Sequence, residues 1–129
     1  MRTESSKLSP SAFDRIVKRA VDRIPGEIRK GLDNVLISVQ PRPSAELLDE
    51  MGLPPDELLL GVYQGTPLGD RSVAEPPLYP DVIVLFQEPL EEICETVEEM
   101  EREIEITVVH EVAHFLGMDE ERLAELGYG

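Results

Sequence analysis

Cysteine is all but missing from this chain, Cys94 being the only one among 129 residues. No disulfide can close within it, so stability must come from buried apolar surface, and a reducing compartment is the natural setting. Long apolar runs are missing too. No window approaches the ~18 apolar residues that a membrane-spanning helix needs, and Met1 to Pro10 lacks the apolar stretch of a secretory signal. These absences point to a cytoplasmic protein with no membrane role. Basic residues are scarce beyond the first third. Residues 1–42 hold nine Lys/Arg against five Asp/Glu, whereas residues 43–129 hold three against 22. An acid excess of that size repels a phosphate backbone, which argues against nucleic-acid binding as the main role. The acidity reads first as a solvated surface and second as a preference for basic substrates or divalent cations.

What is present fits one small domain. A chain of this length buries roughly two-thirds of its unfolded surface and folds without staples. Residues 1–10 read as a flexible N-terminal segment and residues 11–129 as a single domain. Phe13, Ile16, Val17, Ala20, Val21 and Ile24 recur at helical spacing, with Ser11 as N-cap and Pro25-Gly26 as terminator. The face carrying Arg15, Lys18, Arg19 and Arg23 reads as solvated. Ile28 and Leu32 continue the apolar layer through a short second helix or turn. Three strand-like runs follow, at Val35 to Val39, Leu58 to Tyr63 and Val82 to Phe86, each bounded by prolines or glycines. Pro67 to Pro80 reads as a long loop of the functional kind. Helices are expected over Glu91 to Met100, about Arg102 to Leu116, and Asp119 to Leu126. This order predicts an α+β fold: a small mixed or antiparallel sheet of about three to four strands, packed on an N-terminal helix and a later central helix.

Val108 to Leu116 carries the chemistry. Six of these nine residues are apolar and spread round the helix, the mark of a buried segment. The exceptions are His110, Glu111 and His114. His110 and His114 lie one turn apart on the same face, and Glu111 stands about 100° round from His110. Two imidazoles and a carboxylate in apolar surroundings cost several kcal/mol unless each finds a partner. A divalent cation answers both imidazoles, zinc (Zn²⁺) above all. The adjacent carboxylate then stands where it can take a proton from an activated water, which is the physical content of H-E-x-x-H. The competing reading is a pair of packed histidines bonded to backbone carbonyls.

His110-Glu111-Val112-Ala113-His114-Phe115-Leu116-Gly117 resembles the zincin signature H-E-x-x-H-x-x-G. More of the chain resembles the minimal zincin-like proteins of bacteria. Leu60 to Leu68 and Pro80 to Phe86 look like that family's two central strands, and Ile24-Pro25 followed by Leu32 to Val35 resembles its first helix-to-strand passage. The likeness spans about residues 13 to 129. It implies a zincin-like fold, with a compact mixed sheet against an active-site helix, Glu111 as catalytic base, and His110 and His114 as metal ligands. Position eleven of the extended signature is a third histidine; here it is Glu120, which the resemblance makes the third ligand by register, with Asp119 as the alternative. Asp119 also reads as an N-cap of the last helix and Glu120 as a first-turn acid. Glu121 and Glu125 are more distant candidates.

The expected function is zinc-dependent hydrolysis of peptide bonds in a peptide or protein substrate, with Asp81 to Gln87 as the strand along which it lies. The alternative is a non-enzymatic metal-binding or protein-interaction module on the same fold. Thr107, one turn before His110, could bond a ligand imidazole or return to the backbone. Tyr63, Tyr79 and Tyr128 read as packing residues with wet hydroxyls, Cys94 as a small buried hydrophobe. One methionine, Met118, does not make the methionine turn of longer zincins. Oligomeric state leaves no mark on the sequence.

Overall fold

A computed structural model describes residues 8–65 and 81–128. Helix α1 runs Pro10–Asp22, α2 Gly26–Arg29, and a 3₁₀ turn follows at Lys30–Leu32. Then come β1 (Val35–Gln40), α3 (Ala45–Glu50), β2 (Gly61–Gln64), β3 (Asp81–Phe86), α4 (Gln87–Ile93), α5 (Val97–Leu116) and α6 (Glu120–Glu125). The α+β class and the mixed sheet are as expected. The loop expected at Pro67 to Pro80, Tyr79 included, lies outside the described residues.

Helix α1 is capped by Ser9, whose side chain accepts from the Ala12 N–H at 3.2 Å, and not by Ser11. Pro10 explains the shift: its fixed φ suits the first helical position, where a missing N–H costs nothing. Phe13, Ile16, Val17 and Ala20 are buried as their spacing predicts. The basic face is not wholly solvated. Arg19 and Arg23 pair with Glu101 of α5 at 2.8 and 2.9 Å, tying the first helix to the longest one. Ahead of α1, the Leu8 N–H donates to Glu91 and its carbonyl accepts from Gln87, each at 2.8 Å.

The chain from Gln87 onward divides differently from its expected form. Helix α4 starts directly after β3 and stops at Ile93; Cys94 is extended and buried. Thr96 then caps α5, accepting from the Glu99 N–H at 3.1 Å while its hydroxyl meets the Glu99 carboxylate at 3.2 Å. This Thr96 cap begins a single 20-residue helix, where the apolar pattern predicts a break near Arg102. Helix α3, which the apolar pattern does not announce, starts at another cap: Ser44 accepts from the Leu47 N–H at 3.0 Å. No described helix is long and apolar enough to cross a membrane.

The sheet order is β1-β3-β2, with β1 parallel to β3 (Val35 beside Asp81) and β2 antiparallel to it (Gly61 beside Leu85). Strand β3 is therefore central, and Ile83, Val84, Leu85 and Phe86 are all buried. Its place between two strands removes it as the docking edge for a peptide. Among the described residues β1 and β2 are the edge strands, and β2 lies on α5.

Glycine sets that approach. A Cβ at Gly61 would stand 2.9 Å from the Thr107 methyl and 3.0 Å from the Val84 carbonyl oxygen. Any side chain there lifts β2 away from the helix. Gly61→Ala should destabilise the protein by about 1–3 kcal/mol, read from the urea midpoint. Gly26→Ala, whose Cβ meets nothing within 4 Å, should leave that midpoint unchanged or slightly raised.

Candidate active site

Helix α5 carries the three singled-out polar residues to the margin of the core. Val108, Val109, Val112 and Ala113 are buried, His110 and Glu111 are half-buried, and His114 is exposed. The helix is thus not buried all round; the side bearing both imidazoles opens outward. Gly117 ends it in the left-handed region (φ 73°), and the Met118 N–H returns to the Ala113 carbonyl at 2.9 Å.

Glu111 is oriented by the sheet. Its Oε1 accepts from the Tyr63 backbone N–H at 2.8 Å. That N–H faces away from β3: the Phe86 N–H bonds the Leu60 carbonyl, so in this register Leu60 and Val62 bond β3 while Gly61 and Tyr63 turn away from it. Glu111 thus occupies one bonding point of the β2 edge. Burial pushes its pKa up, and the Tyr63 N–H and the two neighbouring histidines oppose this. A carboxylate raised in this way is a better proton acceptor at neutral pH than an ordinary one.

Tyr63 itself is more than a packing residue. Its ring stacks on Phe115 at 4.7 Å, and its hydroxyl donates to Asp81 at 2.6 Å. A Cβ at Gly65 would fall 2.2 Å from an Asp81 oxygen, so the chain passes close over this buried acid. Tyr63 therefore joins β2 to β3 by its hydroxyl and to α5 by its ring and its N–H.

The other wall is the C-terminal turn. His110 Nε2 donates to the Tyr128 carbonyl oxygen at 2.8 Å. The Tyr128 hydroxyl donates to the buried Glu105, which also faces Arg23 at 3.4 Å and Arg102 at 3.3 Å. Burial first, and then this bond to Glu105, push the Tyr128 pKa up to about 12. Neither Tyr63 nor Tyr128 has the wet hydroxyl expected of it. The sequence signal was faint: Tyr128 follows Gly127, and Glu105 is an acid on an otherwise buried helix face.

The carboxylates expected as third ligand all lie at α6. Asp119 caps α6, its Oδ1 accepting from the Arg122 N–H at 2.8 Å. Glu120 and Glu121 are exposed first-turn residues, and Glu125 pairs with Arg122 at 3.1 Å. Among the described residues, no three His, Cys, Asp or Glu side chains stand together as a metal site. His110 and His114 suit a zinc ion in donor chemistry, but this arrangement leaves the donor set incomplete and engages one of its nitrogens. Thr107 turns its methyl toward Gly61, and Cys94 is buried as expected.

A family profile described as zincin-like metallopeptidase matches residues 32–129. Among solved structures, a conserved hypothetical protein from Thermo thermophilus superposes with a TM-score of 0.53. It is 23% identical, and the match covers 91% of this chain and 98% of that one. At that identity the likeness speaks for the fold. No curated protein matches the chain.

The raised Glu111 carboxyl has a consequence for stability. A group whose folded pKa lies above its ordinary value of 4.5 weakens the fold as pH rises through that interval, and the loss persists above it. Glu111→Gln keeps an oxygen for the Tyr63 N–H and removes the charge. Without metal, this variant should melt a few degrees above the parent at pH 7, and the advantage should vanish below about pH 4. Calorimetric melts at the two pH values check this; equal melting at pH 7 contradicts it.

Proposed function

We propose, for a chain that belongs to the zincin-like metallopeptidase family, that it hydrolyses peptide bonds with Glu111 as general base and zinc as the resident ion. The observation that carries this reading is Glu111 itself: a half-buried carboxylate with a raised pKa, beside two imidazoles on one helix and aimed by the β2 edge. His110 and His114 would hold the ion, with Glu120, or else Asp119, as the further ligand. A bound zinc ion supplies Lewis acidity toward a carbonyl and brings a water's pKa down to ~7.

The protein's own groups do the rest. Tyr63 N–H fixes Oε1 of Glu111, which leaves Oε2 free to accept a proton from water and pass it to the leaving amine. An extended peptide would add beside β2, where in this register the Gly61 N–H and carbonyl turn away from β3. Added as a strand, it would run past the open side of α5, its main-chain bonds supplying affinity without demanding a sequence. Gly61 keeps that strand low against the helix.

A second reading, a metal-binding or interaction module without turnover, draws support from Asp119 serving as a helix cap and Glu120 standing exposed. Glu111 separates the two, because a site that only binds has no use for a base. In zinc-supplemented buffer the protein should cleave members of a quenched-fluorescent peptide library and lose this on chelation. Glu111→Gln should keep its zinc and lose about 10²–10⁴-fold in kcat/KM. Zinc binding with no cleavage, or cleavage indifferent to Glu111→Gln, would favour the module.

A further inference from the structure

Tyr63 reaches α5 and β3 at once. Its N–H donates to Glu111 at 2.8 Å, and its ring stacks on Phe115 at 4.7 Å. Glu111 and Phe115 are four residues apart, so both grips fall on one face of α5. Across the sheet Tyr63 stands opposite Ile83, and Asp81, two residues earlier on β3, shares that face. A tyrosine is long enough to cover the diagonal, and its hydroxyl donates to Asp81 at 2.6 Å. Asp81 is a firm anchor. It is buried, it opens the central strand, and it stands beside Val35 of β1. Gly65 passes over it so closely that a Cβ there would fall 2.2 Å from its Oδ1.

The strand gains from an anchor at this point. In the β2–β3 register the Tyr63 peptide groups turn away from β3, and β2 ends one residue later at Gln64. The last residues of a short strand open at little cost in free energy. The hydroxyl bond ties that end to the buried middle of the sheet, and so fixes where the Tyr63 N–H points. We propose that Asp81 is a positioning residue for Glu111, acting through Tyr63: it holds the end of β2 so that the Tyr63 N–H keeps Oε1 and leaves Oε2 to take the proton. The inference rests on the peptidase reading in one respect, that Glu111 is the base. The chain of bonds from Asp81 to Glu111 needs no metal.

Two substitutions break that chain from different sides and leave Glu111 and both histidines in place. Tyr63→Phe removes the hydroxyl and keeps the ring and the N–H. Gly65→Ala sets a methyl whose nearest neighbours are all Asp81 atoms, so it pushes the carboxylate aside without altering Tyr63. The full chain, free of metal and labelled with nitrogen-15, gives the first readout. Glu111→Ala should move the residue-63 amide proton upfield, which assigns its bond to this carboxylate. Tyr63→Phe and Gly65→Ala should move it the same way and speed its hydrogen exchange about three- to tenfold relative to the Val62 amide. A merely structural loss speeds both amides alike. In the zinc-supplemented peptide assay both variants should lower kcat about tenfold and leave KM within about twofold. Should Tyr63→Phe not fold, Gly65→Ala carries both readouts. A residue-63 amide unmoved in the folded variants, or moved while kcat keeps the parent's value, overturns the inference and leaves the peptidase reading standing. An amide that moves as expected in a protein that cleaves no peptide removes the peptidase reading, while the placing of Glu111 by Asp81 holds.

Discussion

The bond from the Tyr63 N–H to Glu111 is the contact on which the site depends. It exists because β2 is an edge strand, because Gly61 lets that edge sit against Thr107, and because the ladder to β3 turns the Tyr63 N–H outward. Remove any of these and Glu111 becomes one more acid on a chain with 27 of them. With them, it is a half-buried carboxylate with a defined direction. Burial and orientation act together here. The first raises its proton affinity, and the second leaves one oxygen available to use it.

The site lies on α5, with a wall on either side of the helix. On one side stands β2, with Tyr63 stacked on Phe115 and bonded to Asp81. On the other stands the turn after α6, with Tyr128 bonded to Glu105 and to His110. Each wall is fastened by a tyrosine hydroxyl on a buried acid. Such pairs satisfy polar groups that would otherwise be costly to bury, and they hold a backbone in place more firmly than apolar contact does. In both walls a main-chain group, not a side chain, reaches the H-E-x-x-H residues.

Much of this was legible in the amino-acid order. Phe13, Ile16, Val17 and Ala20 announce α1 by spacing alone, and the apolar runs mark the three strands, although β2 begins at Gly61 and not at Leu58. Val108 to Leu116, apolar except at His110, Glu111 and His114, locates the chemistry. The division of the last helices was harder. The acidic run around Glu98 and Glu99 looks like the middle of a helix, yet Thr96 caps it, and local capping outweighs the apolar rhythm. Helix α3 is hidden for a like reason, its signal being a serine cap on a short segment. Main-chain contacts are the least visible of all. Nothing about the identity of Tyr63 or Tyr128 encodes where its N–H or carbonyl will point, because that depends on strand order and on the turn at Gly127. Asp119 and Glu120 illustrate the complementary difficulty, since a carboxylate at a helix start serves the cap as readily as a metal.

The parallel pairing of β1 with β3 has a consequence for how the chain assembles. Strands joined in this sense cannot form as a hairpin, and here they come from distant parts of the sequence. The salt links of α1 to Glu101 are more distant still. Contacts of such long sequence separation bear a large loop-closure entropy before any of them is rewarded, which slows folding. The central strand must wait for its parallel neighbour, and a nascent chain that has made everything up to β2 still lacks the middle of its sheet.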